Sequence, residues 1–575
     1  MVRHRFENQP ARGWPSALRV ITTATALILA SAPAHAQDGC PPGDTPFAPF
    51  YADPARFTRA LAATEGQPAP SAPPTGLIVP HHLEIPELIA GGIRLSEATR
   101  PDRIVVLFPD HFFKLRRPFA TTGRGFDTVL GPVPGDPAGA AALRAASPLM
   151  EDSCLFARDH GLRAVLPFIA ALHPGVPVLP VAVAISSTRP QWEDLATAMT
   201  PLAGPGTLMV QATDFSHYLP LHEARQRDQQ VLNLLAAGDL DAIAGLRQPD
   251  HVDSLGAMYV TLALQQRLHG AAPVVVANRN LQELTPRFVA ETTSYITAAF
   301  LPPGAVADPI QPDSPVYMLG GDLFLGRSLP RLLADELAAD RVAQAALAAT
   351  RGRPLVLNLE GVLLPDLPGN LPHLVLASPA QMVLDWARRL NVVAFGLANN
   401  HTNDIGLSGV AETLAALRAG GMAHMAQGAA LDLPGVTLVA LSDLDGAADP
   451  PFDRLGPGML DRLVRPDAAV PVVAFVHWGR EYVTEPGPRE VWLADQMRRR
   501  GVAAVVGAHP HAASAAPVAI GGGDTLVFHS TGNFLFDQLP PESSGALVEL
   551  RAFAQGTVFL RQMPLPHLFA AARGR

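Results

Sequence analysis

Short apolar runs of strand length recur along the chain, and polar residues able to carry chemistry follow each run directly. In the first half the runs are residues 76–80, 104–108 and 207–210. In the second half they are residues 354–357, 392–395, 472–476 and 502–506. Unbroken apolar runs are typical of the buried strands of an α/β sheet. Because ligand sites in such sheets lie beyond the carboxyl ends of the strands, the polar residues that follow are candidate site residues.

Helical patterns lie between these strands. Val410, Leu414 and Leu417 fall on one face of a predicted helix that ends at Gly420 and Gly421. The alternation of strand and helix predicts an α/β fold for both halves, and a proline-rich stretch between them is typical of a linker. We therefore predict a signal peptide at 1–36, an irregular leader at 37–75, a first domain at 76–300, a linker at 301–314, a second domain at 315–562 and a C-terminal tail at 563–575.

The composition of the 575-residue chain is that of an ordinary folded protein, with 48% hydrophobic and 17% charged residues. A chain of this length is too long for a single core, which agrees with two domains. The net charge of −9 lacks the basic excess typical of nucleic-acid binding, so we expect no nucleic-acid partner.

The N-terminus has the pattern of a secretory signal. Arginines precede a short apolar run at 20–30, and Ala34-His35-Ala36 resembles a cleavage site. The run is shorter than the roughly 20 residues that span a bilayer, although an uncleaved N-terminal membrane anchor is the alternative. We therefore predict export to the periplasm. Cys40 and Cys154 could pair in that oxidising compartment, and two cysteines exclude a cysteine-rich zinc or iron–sulfur site.

Clusters of metal-binding residue types follow the strands of the second half. They are Asp322 with Arg327, Asn358 with Glu360, Asn399-Asn400-His401 with Asp404, His477-Trp478-Gly479, and His509-Pro510-His511. Taken singly, each cluster is explained as well by a structural role, such as a turn, a helix cap or a packed histidine. Together, carboxylates, an amide oxygen and imidazoles suit one or two divalent ions such as Mn, Fe, Zn or Mg. Two ions about 4 Å apart can activate water and hold a phosphoryl or acyl oxygen.

The series GGDLFLGR, NLEG, LANNHTNDIG, HWGREY, GAHPH and STGNFLFDQ resembles the CapA family, named for poly-γ-glutamate capsule synthesis. That family is similar to the calcineurin-like metallophosphoesterases, whose fold is an α/β sandwich. The resemblance implies that the metal ligands are Asp322, Glu360, Asn400, His477, His509 and His511. It also implies that His401 protonates a leaving group, that Asp404 orients His401, and that Arg327 binds a substrate anion.

The second half departs from the phosphoesterase pattern at two positions. Asp322-Leu323-Phe324 replaces the usual Asp-x-His pair, and Glu360 stands where an aspartate is usual. Phosphatase activity is therefore implied by analogy of fold only. Hydrolysis of phosphate esters and hydrolysis of amide or peptide bonds both stay open.

The first half carries VPHH, FPDHF, DHGLRAVLPF, TDFSHY and TSYITAAF, which resemble the Memo family, known in bacteria as AmmeMemoRadiSam system protein B. The resemblance implies a fold similar to class III extradiol dioxygenases. It also implies a pocket lined by His81, His111, His160, Asp214 and His217, able to hold a single iron or copper ion. Leu255 stands where we expect the family's cysteine, and Arg163 where a glutamate is usual. Both changes favour the alternative of a retained fold that binds a small ligand or the partner domain.

Three functions are compatible with the sequence. The favoured one is an exported metal-dependent hydrolase that acts on a cell-envelope polymer of the poly-γ-glutamate or capsule type, or on a small anionic substrate. The second is a non-catalytic protein that binds or assembles an anionic envelope polymer, together with envelope assembly proteins. The third is a redox or dioxygenase role for the Memo-like half.

Overall fold

The computed structural model describes residues 44–445, 455–463 and 469–574. The predicted signal peptide and Cys40, one partner of the predicted cysteine pair, lie outside these residues. Among the helices that are described, none is both long and apolar enough to cross a membrane. The described residues form two α/β domains, which confirms the predicted fold class.

The first domain is built on a nine-stranded sheet and a two-stranded hairpin. Its strands are β1 (Gly76–Val79), β2 (Arg103–Pro109), β3 (Phe119–Thr121), β4 (Phe126–Thr128), β5 (Gly131–Val133), β6 (Met150–Asp152), β7 (Val178–Val183), β8 (Thr207–Ala212), β9 (Phe215–Leu219), β10 (Ala272–Asn280) and β11 (Thr292–Leu301). Its helices are α1 (Ala55–Ala63), α2 (Pro86–Arg94), α3 (Pro137–Ala146), α4 (His160–Arg163), α5 (Leu166–Leu172), α6 (Arg189–Met199), α7 (Leu221–Ala237), α8 (Leu240–Ala244) and α9 (Leu255–His269).

The main sheet runs in the order β10-β11-β1-β8-β2-β7-β3-β6, and β9 pairs with β11. Its centre, from β1 to β7, is parallel, with Gly76 of β1 opposite Met209 of β8. These strands are buried on both faces because α6, α7 and α9 cover one side and α1, α2 and α5 cover the other. The carboxyl ends of β1, β2 and β8 therefore meet at one edge of the sheet.

Part of the predicted irregular leader is ordered. Helix α1 lies within residues 37–75 and buries Phe57 and Ala60. The ring of Phe57 packs against Phe168 of α5, with 5.3 Å between ring centroids. The expectation of an irregular segment was wrong there because a single buried aromatic residue in an alanine-rich sequence suffices to dock a short helix on an existing core.

The second domain contains two larger sheets, of seven and six strands, and a two-stranded sheet formed by β14 and β15. Its strands are β12 (Val316–Leu323), β13 (Leu355–Leu359), β14 (Val362–Leu364), β15 (Ala377–Pro379), β16 (Val392–Gly396), β17 (Ala423–Met425), β18 (Ala430–Leu433), β19 (Val436–Ser442), β20 (Val472–His477), β21 (Val502–Ala508), β22 (Val518–Ile520), β23 (Thr525–Phe528), β24 (Asn533–Leu535), β25 (Ala546–Phe553) and β26 (Thr557–Pro564). Its helices are α10 (Leu329–Leu332), α11 (Glu336–Thr350), α12 (Ala380–Arg389), α13 (Gly406–Ala419), α14 (Pro457–Leu463), α15 (Pro488–Arg498) and α16 (Leu568–Ala572).

The two larger sheets of the second domain form a sandwich. The first has the order β17-β16-β13-β12-β25-β26 with β24 beside β12, and the second has the order β18-β19-β20-β21-β23-β22. Leu319, Val356, Phe475 and Val506 are among the side chains buried between them. Helices α11 and α12 cover the outer face of the first sheet, and α15 covers that of the second. Helix α13 ends just before Gly420, as its apolar pattern predicts.

The two domains share a packed interface. Phe553 of β25 and Phe559 of β26 belong to the same apolar cluster as α7 and α9 of the first domain. Arg551 of β25 is fully buried and donates to the carbonyl oxygens of Val275 and Ala307, at 2.8 and 2.7 Å. The end of the second domain thus completes part of the core of the first.

Candidate metal centres

The predicted ligands of the second domain meet at the carboxyl ends of the strands that carry them. Asp322 lies at the end of β12, Glu360 directly after β13, and His477 at the end of β20. His509 and His511 follow β21. All five side chains are buried.

These residues form two overlapping groups with ligand atoms within 4.8 Å of one another. One group is Glu360, His477 and His509, and the other is Asp322, Glu360 and His511. Within the first group, Nε2 of His477 is 4.0 Å from Oε1 of Glu360, and between the groups Nδ1 of His477 is 3.7 Å from Oδ1 of Asp322. Because Glu360 belongs to both groups, the geometry offers two adjacent positions that share one carboxylate.

The electrostatics of the site fit divalent cations. Both carboxylate oxygens of Glu360 are buried without a hydrogen-bond partner. Burial raises the pKa of Glu360 well above its usual value, and the neighbouring carboxylate of Asp322 raises it further. A buried, unpaired carboxylate is unfavourable unless a cation or a proton neutralises it. Burial also lowers the pKa of His509 to about 3, which keeps the imidazole neutral with a lone pair available for a metal.

Asparagine side chains surround these groups. The amide of Asn358 donates to Oδ1 of Asp322 at 2.7 Å. Oδ1 of Asn400, a predicted ligand, lies 2.9 Å from Nε2 of His477. Asn399 donates to the carbonyl oxygen of Leu359 at 2.8 Å and accepts from the N–H of His401 at 3.1 Å. These contacts fix the loop after β16 against the loop after β13.

His401 and Asp404 adopt the paired geometry that the resemblance implies. Nδ1 of His401 is 2.8 Å from Oδ2 of Asp404, and Nε2 of His401 is 3.8 Å from Oε1 of Glu360. Asp404 also accepts from the N–H of Leu376 at 2.7 Å. The carboxylate therefore holds the ring with Nε2 directed towards the metal-binding groups.

Arg327, the predicted anion-binding residue, lies beside this site. Both terminal nitrogens of its guanidinium have partners, whereas its Nε is buried without one. It forms an ion pair with Asp537 at 3.1 Å and donates to the carbonyl oxygen of His373 at 2.8 Å. Its guanidinium carbon lies 5.2 Å from the ring centroid of Phe324. A direct role of Arg327 in anion binding stays a prediction.

The first-domain residues predicted from the sequence also come together. The ring centroids of His81 and His111 are 4.8 Å apart, and those of His111 and His160 are 4.0 Å apart. Oδ2 of Asp214 lies 3.7 Å from Nε2 of His81. His217, in β9, joins the cluster through His82, with 6.1 Å between ring centroids.

Three residues of this cluster were missed. Asp253 is the most important, because its Oδ2 is 3.1 Å from Nε2 of His81 and 3.7 Å from Nε2 of His111. Asp159 binds Nδ1 of His111 at 2.8 Å, and His82 binds Asp214 at 3.0 Å. His82 and Asp159 are chain neighbours of predicted residues, which is a usable signal. Asp253 follows no strand, so the apolar pattern does not point to it.

Leu255 and Arg163, which replace the expected cysteine and glutamate of the Memo family, both lie away from the histidine cluster. Leu255 begins α9 and packs into the apolar core, whereas the carboxylate of Asp253 stands beside the two histidines. Arg163 lies over the ring of Phe126, with 5.3 Å to the centroid, and donates to the carbonyl oxygen of Ala48. It therefore brings no cation to the cluster. Neither side chain therefore stands among the candidate ligands, and the expectation that the two changes weaken a redox metal site stays a prediction.

The charges of the first-domain cluster fit a cation as well. Although burial opposes its protonation, hydrogen bonds to Asp159 and Asp253 raise the pKa of His111 to about 10, so a metal ion here would have to displace a proton from this imidazole. Burial opposes ionisation of Asp214, but the charges of His81 and His82 lower its pKa. Oδ1 of Asp253 and Nδ1 of His217 are buried without hydrogen-bond partners. Imidazoles and carboxylates in this arrangement can hold one metal ion.

Known proteins resemble each half separately. Residues 50–286 match the family described as "Memo-like protein", and residues 316–438 and 460–538 match "Bacterial capsule synthesis protein PGA_cap". A "Capsule biosynthesis protein CapA" of Bacillus anthracis is 30% identical over 195 residues, or 29% of this chain and 46% of the relative. The "PGA biosynthesis protein CapA" of Bacillus subtilis (strain 168) is 30% identical over 172 residues, which cover 26% of this chain and 44% of the relative. A "MEMO1 family protein" of Caldivirga maquilingensis is 23% identical over 232 residues, which cover 39% of this chain and 82% of the relative. The chain thus spans less than half of the length of these two CapA relatives.

Proposed function

Because this chain joins a Memo-like domain to a PGA_cap domain, we propose that it is an exported, metal-dependent hydrolase of envelope polymer metabolism. Its substrate is an anionic polymer of the poly-γ-glutamate or capsule type, or a small anionic molecule. The observation that carries the proposal is the buried, unpaired carboxylate of Glu360, shared by two groups of metal-binding residues and facing Nε2 of His401.

The second-domain site would hold its ions through a defined set of residues. They are Asp322, Glu360, Asn400, His477, His509 and His511. Two divalent ions, drawn from Mn, Fe, Zn or Mg, fit the shared carboxylate. When bound, they supply Lewis acidity towards a phosphoryl or acyl oxygen.

His401 supplies the proton for the leaving group. Its Nδ1 is occupied by Asp404, so Nε2 is the nitrogen that faces the reacting groups. As water adds to the phosphorus or carbonyl carbon and the bond to the leaving oxygen or nitrogen breaks, the proton on Nε2 would move to that leaving atom. Asp404 holds the ring in place through its contact with Nδ1. Both a phosphate ester and an amide bond have leaving groups that need this proton.

Metal analysis of the purified mature chain tests the proposal directly. It compares the wild type with the double variant His509→Ala and His511→Ala. We expect about two metal ions per chain at the second-domain site, and their loss in the variant. Hydrolysis of a panel of ester and peptide substrates then follows with His401→Ala as the inactive control. A chain that holds no divalent metal, or a loaded chain that hydrolyses nothing on a broad panel, contradicts the proposal.

A second candidate is a non-catalytic envelope binding protein, in which the metals act as a clamp. It is favoured by Phe324, which stands where phosphoesterases have a histidine and packs against Phe536, with 5.0 Å between ring centroids. The two candidates differ in cells. His401→Ala abolishes the function of a hydrolase and leaves that of a binding protein intact.

A redox function of the Memo-like half is the third candidate. His81, His111 and Asp253 form a set of two histidines and one carboxylate, which is a common ligand set of non-haem iron. Iron or copper retained in the first domain after aerobic purification supports this candidate. Absence of both metals from the purified chain removes it.

A further inference from the structure

Tyr482 lies beside the second-domain metal centre in a backbone conformation that tyrosine rarely adopts. Its φ is 64°, in the left-handed region, and 47% of the residue is exposed. Its N–H donates to the carbonyl oxygen of Pro510 at 2.7 Å, which ties it to the segment that carries His509 and His511. Its ring centroid is 6.1 Å from that of His511. Backbone strain that is held in place by surrounding contacts is typical of functional sites.

A chain of hydrogen bonds connects this tyrosine to His511. Oδ1 of Asn533 is 2.8 Å from Nδ1 of His511, and the amide of Asn533 donates to Oε1 of Gln538 at 2.8 Å. The amide of Gln538 in turn donates to the hydroxyl oxygen of Tyr482 at 3.2 Å. The second N–H of Asn533 is satisfied by Ser543 at 2.8 Å.

This series of hydrogen bonds has a direction because each side-chain amide accepts with its oxygen and donates with its nitrogen. At one end, Nδ1 of His511 carries a proton that it donates to Oδ1 of Asn533, and the same nitrogen lies 3.5 Å from Oδ2 of Asp322. At the other end, the oxygen of Tyr482 accepts from Gln538, so its hydroxyl proton is left to donate elsewhere. A single network therefore sets the tautomer of a metal ligand and the direction of an O–H donor next to it.

We propose that Tyr482 is a substrate-binding residue whose hydroxyl donates to an anionic oxygen of the phosphoryl or acyl group held at the metal centre. Gln538 and Asn533 are positioning residues that orient this hydroxyl. The inference rests on the proposed metal-dependent function and names a donor for its substrate. Both terminal nitrogens of Arg327 are taken by Asp537 and the carbonyl oxygen of His373, and its Nε is buried without a hydrogen-bond partner.

The test measures binding of inorganic phosphate to the full mature chain loaded with Mn²⁺, by isothermal titration calorimetry, with metal content determined in parallel. We expect Tyr482→Phe to weaken phosphate binding about ten-fold, which corresponds to about 1.4 kcal/mol, and to keep the Mn²⁺ content of the wild type. Tyr218→Phe is the matched control, since Tyr218 is also an exposed tyrosine with positive φ, at 59°, but lies in the first domain. The control should bind phosphate as the wild type does.

Gln538→Glu tests the positioning role while Tyr482 is kept. A carboxylate can still accept from Asn533 but cannot donate to the tyrosine, so the tyrosine proton turns towards it. We expect phosphate affinity to fall about as far as in Tyr482→Phe. The double variant should then be no weaker than either single variant, because both act on the same donor. Additive losses in the double variant contradict an orienting role for Gln538.

The outcomes separate this inference from the proposed function. Phosphate binding that Tyr482→Phe leaves unchanged overturns the inference, and so does a wild-type chain that loads Mn²⁺ but binds no phosphate. In both cases the metal centre stands. A wild-type chain that loads no Mn²⁺, Fe, Zn or Mg overturns the proposed function and the inference with it.

Discussion

At Glu360, the requirements of metal binding and of stability in the metal-free protein oppose each other. Its folded-state pKa is raised by burial and by Asp322 above the unfolded value of about 4.3. The metal-free folded state therefore holds this proton more tightly, and stability is lost as the pH rises from about 4.3 towards the folded pKa. We predict that Glu360→Gln raises the melting temperature of the metal-free protein at pH 7.5. A chain of this length that unfolds as one unit gains about 1 °C for each kcal/mol recovered.

The same substitution should weaken metal binding, since a neutral amide replaces the shared carboxylate. In excess Mn²⁺ the wild type should therefore be the more stable protein. Thermal unfolding with a chelator and with Mn²⁺ measures both effects. Glu412→Gln, at an exposed glutamate of α13 whose charge does not act on Glu360, is the control and should change neither melting temperature. A metal-free Glu360→Gln protein that melts below the wild type would contradict the argument.

Asp253 is the carboxylate on which we test metal binding by the first domain. Its carboxylate is the third candidate ligand, beside the imidazoles of His81 and His111. We predict that Asp253→Asn, in the background His509→Ala and His511→Ala, lowers the affinity of the remaining site for Fe²⁺ at least about ten-fold. The control is Asp250→Asn in the same loop, where Asp250 pairs with Arg247 at 2.9 Å on the surface. Equal iron content in the two variants would mean that Asp253 is not a ligand.

The sequence was informative at the residue scale wherever a functional side chain follows a strand. Asp322, His477 and His111 are of this kind, and the structure brings them into clusters with other candidates. Asp253 and Gln538 lie in irregular segments, where no periodicity marks them. Their places depend on how the segments fold back onto the sheet, which is a tertiary property.

At the scale of the elements, β12 and the segment before β24 approach closely under the second-domain site. A Cβ atom on Gly321 would lie 1.7 Å from the carbonyl oxygen of Gly532. Since Gly321 directly precedes Asp322, we predict that Gly321→Ala separates the two segments and displaces this ligand. Metal content should fall and the free energy of unfolding should drop by at least about 2 kcal/mol. Gly369→Ala is the control because open space surrounds Gly369. A Gly321→Ala protein with wild-type metal content and melting temperature would contradict this account.

The elements themselves were largely predictable. Apolar runs identified the central strands of both domains because these strands are buried on both faces, as in β2 and β20. Helix α1 was missed because only Phe57 and Ala60 are buried in it. Short strands such as β6 and β17 owe their conformation to pairing with a neighbour, so their own sequence carries little signal.

At the scale of the whole molecule, a buried charge cluster stands at the domain interface. Although burial opposes its ionisation, the charges of Arg551 and Arg561 lower the pKa of Glu549 to about 2. Because the folded pKa lies below the unfolded value of about 4.3, the cluster contributes full stability above that pH. The contribution is lost as the pH falls from about 4.3 to about 2.

We predict that Glu549→Gln lowers the free energy of unfolding at pH 7 by about 3 kcal/mol, because two arginines lose their counter-charge. The difference in free energy of unfolding between the variant and the wild type should shrink as the pH falls from about 4.3 to about 2. Denaturant unfolding at a series of pH values measures both effects. Glu412→Gln, at an exposed position of α13, should show neither. A difference from the wild type that stays constant down to pH 2 would contradict the assignment.

The interface should also make the two domains unfold together. Asp228 of α7 is buried and accepts from Ser294 at 2.6 Å, from Asn278 at 3.0 Å and, across the interface, from Gln555 at 2.9 Å. A chain that ends at residue 314 loses this last donor and the cover given by Phe553 and Phe559. We predict one calorimetric transition for the full chain and a melting temperature for the shortened chain at least about 5 °C lower. Hydrogen exchange adds a second readout, since α9 should lose protection when the second domain is removed. Two resolved transitions in the full chain, one of them at the melting temperature of the shortened chain, would mean that the domains are joined but independent.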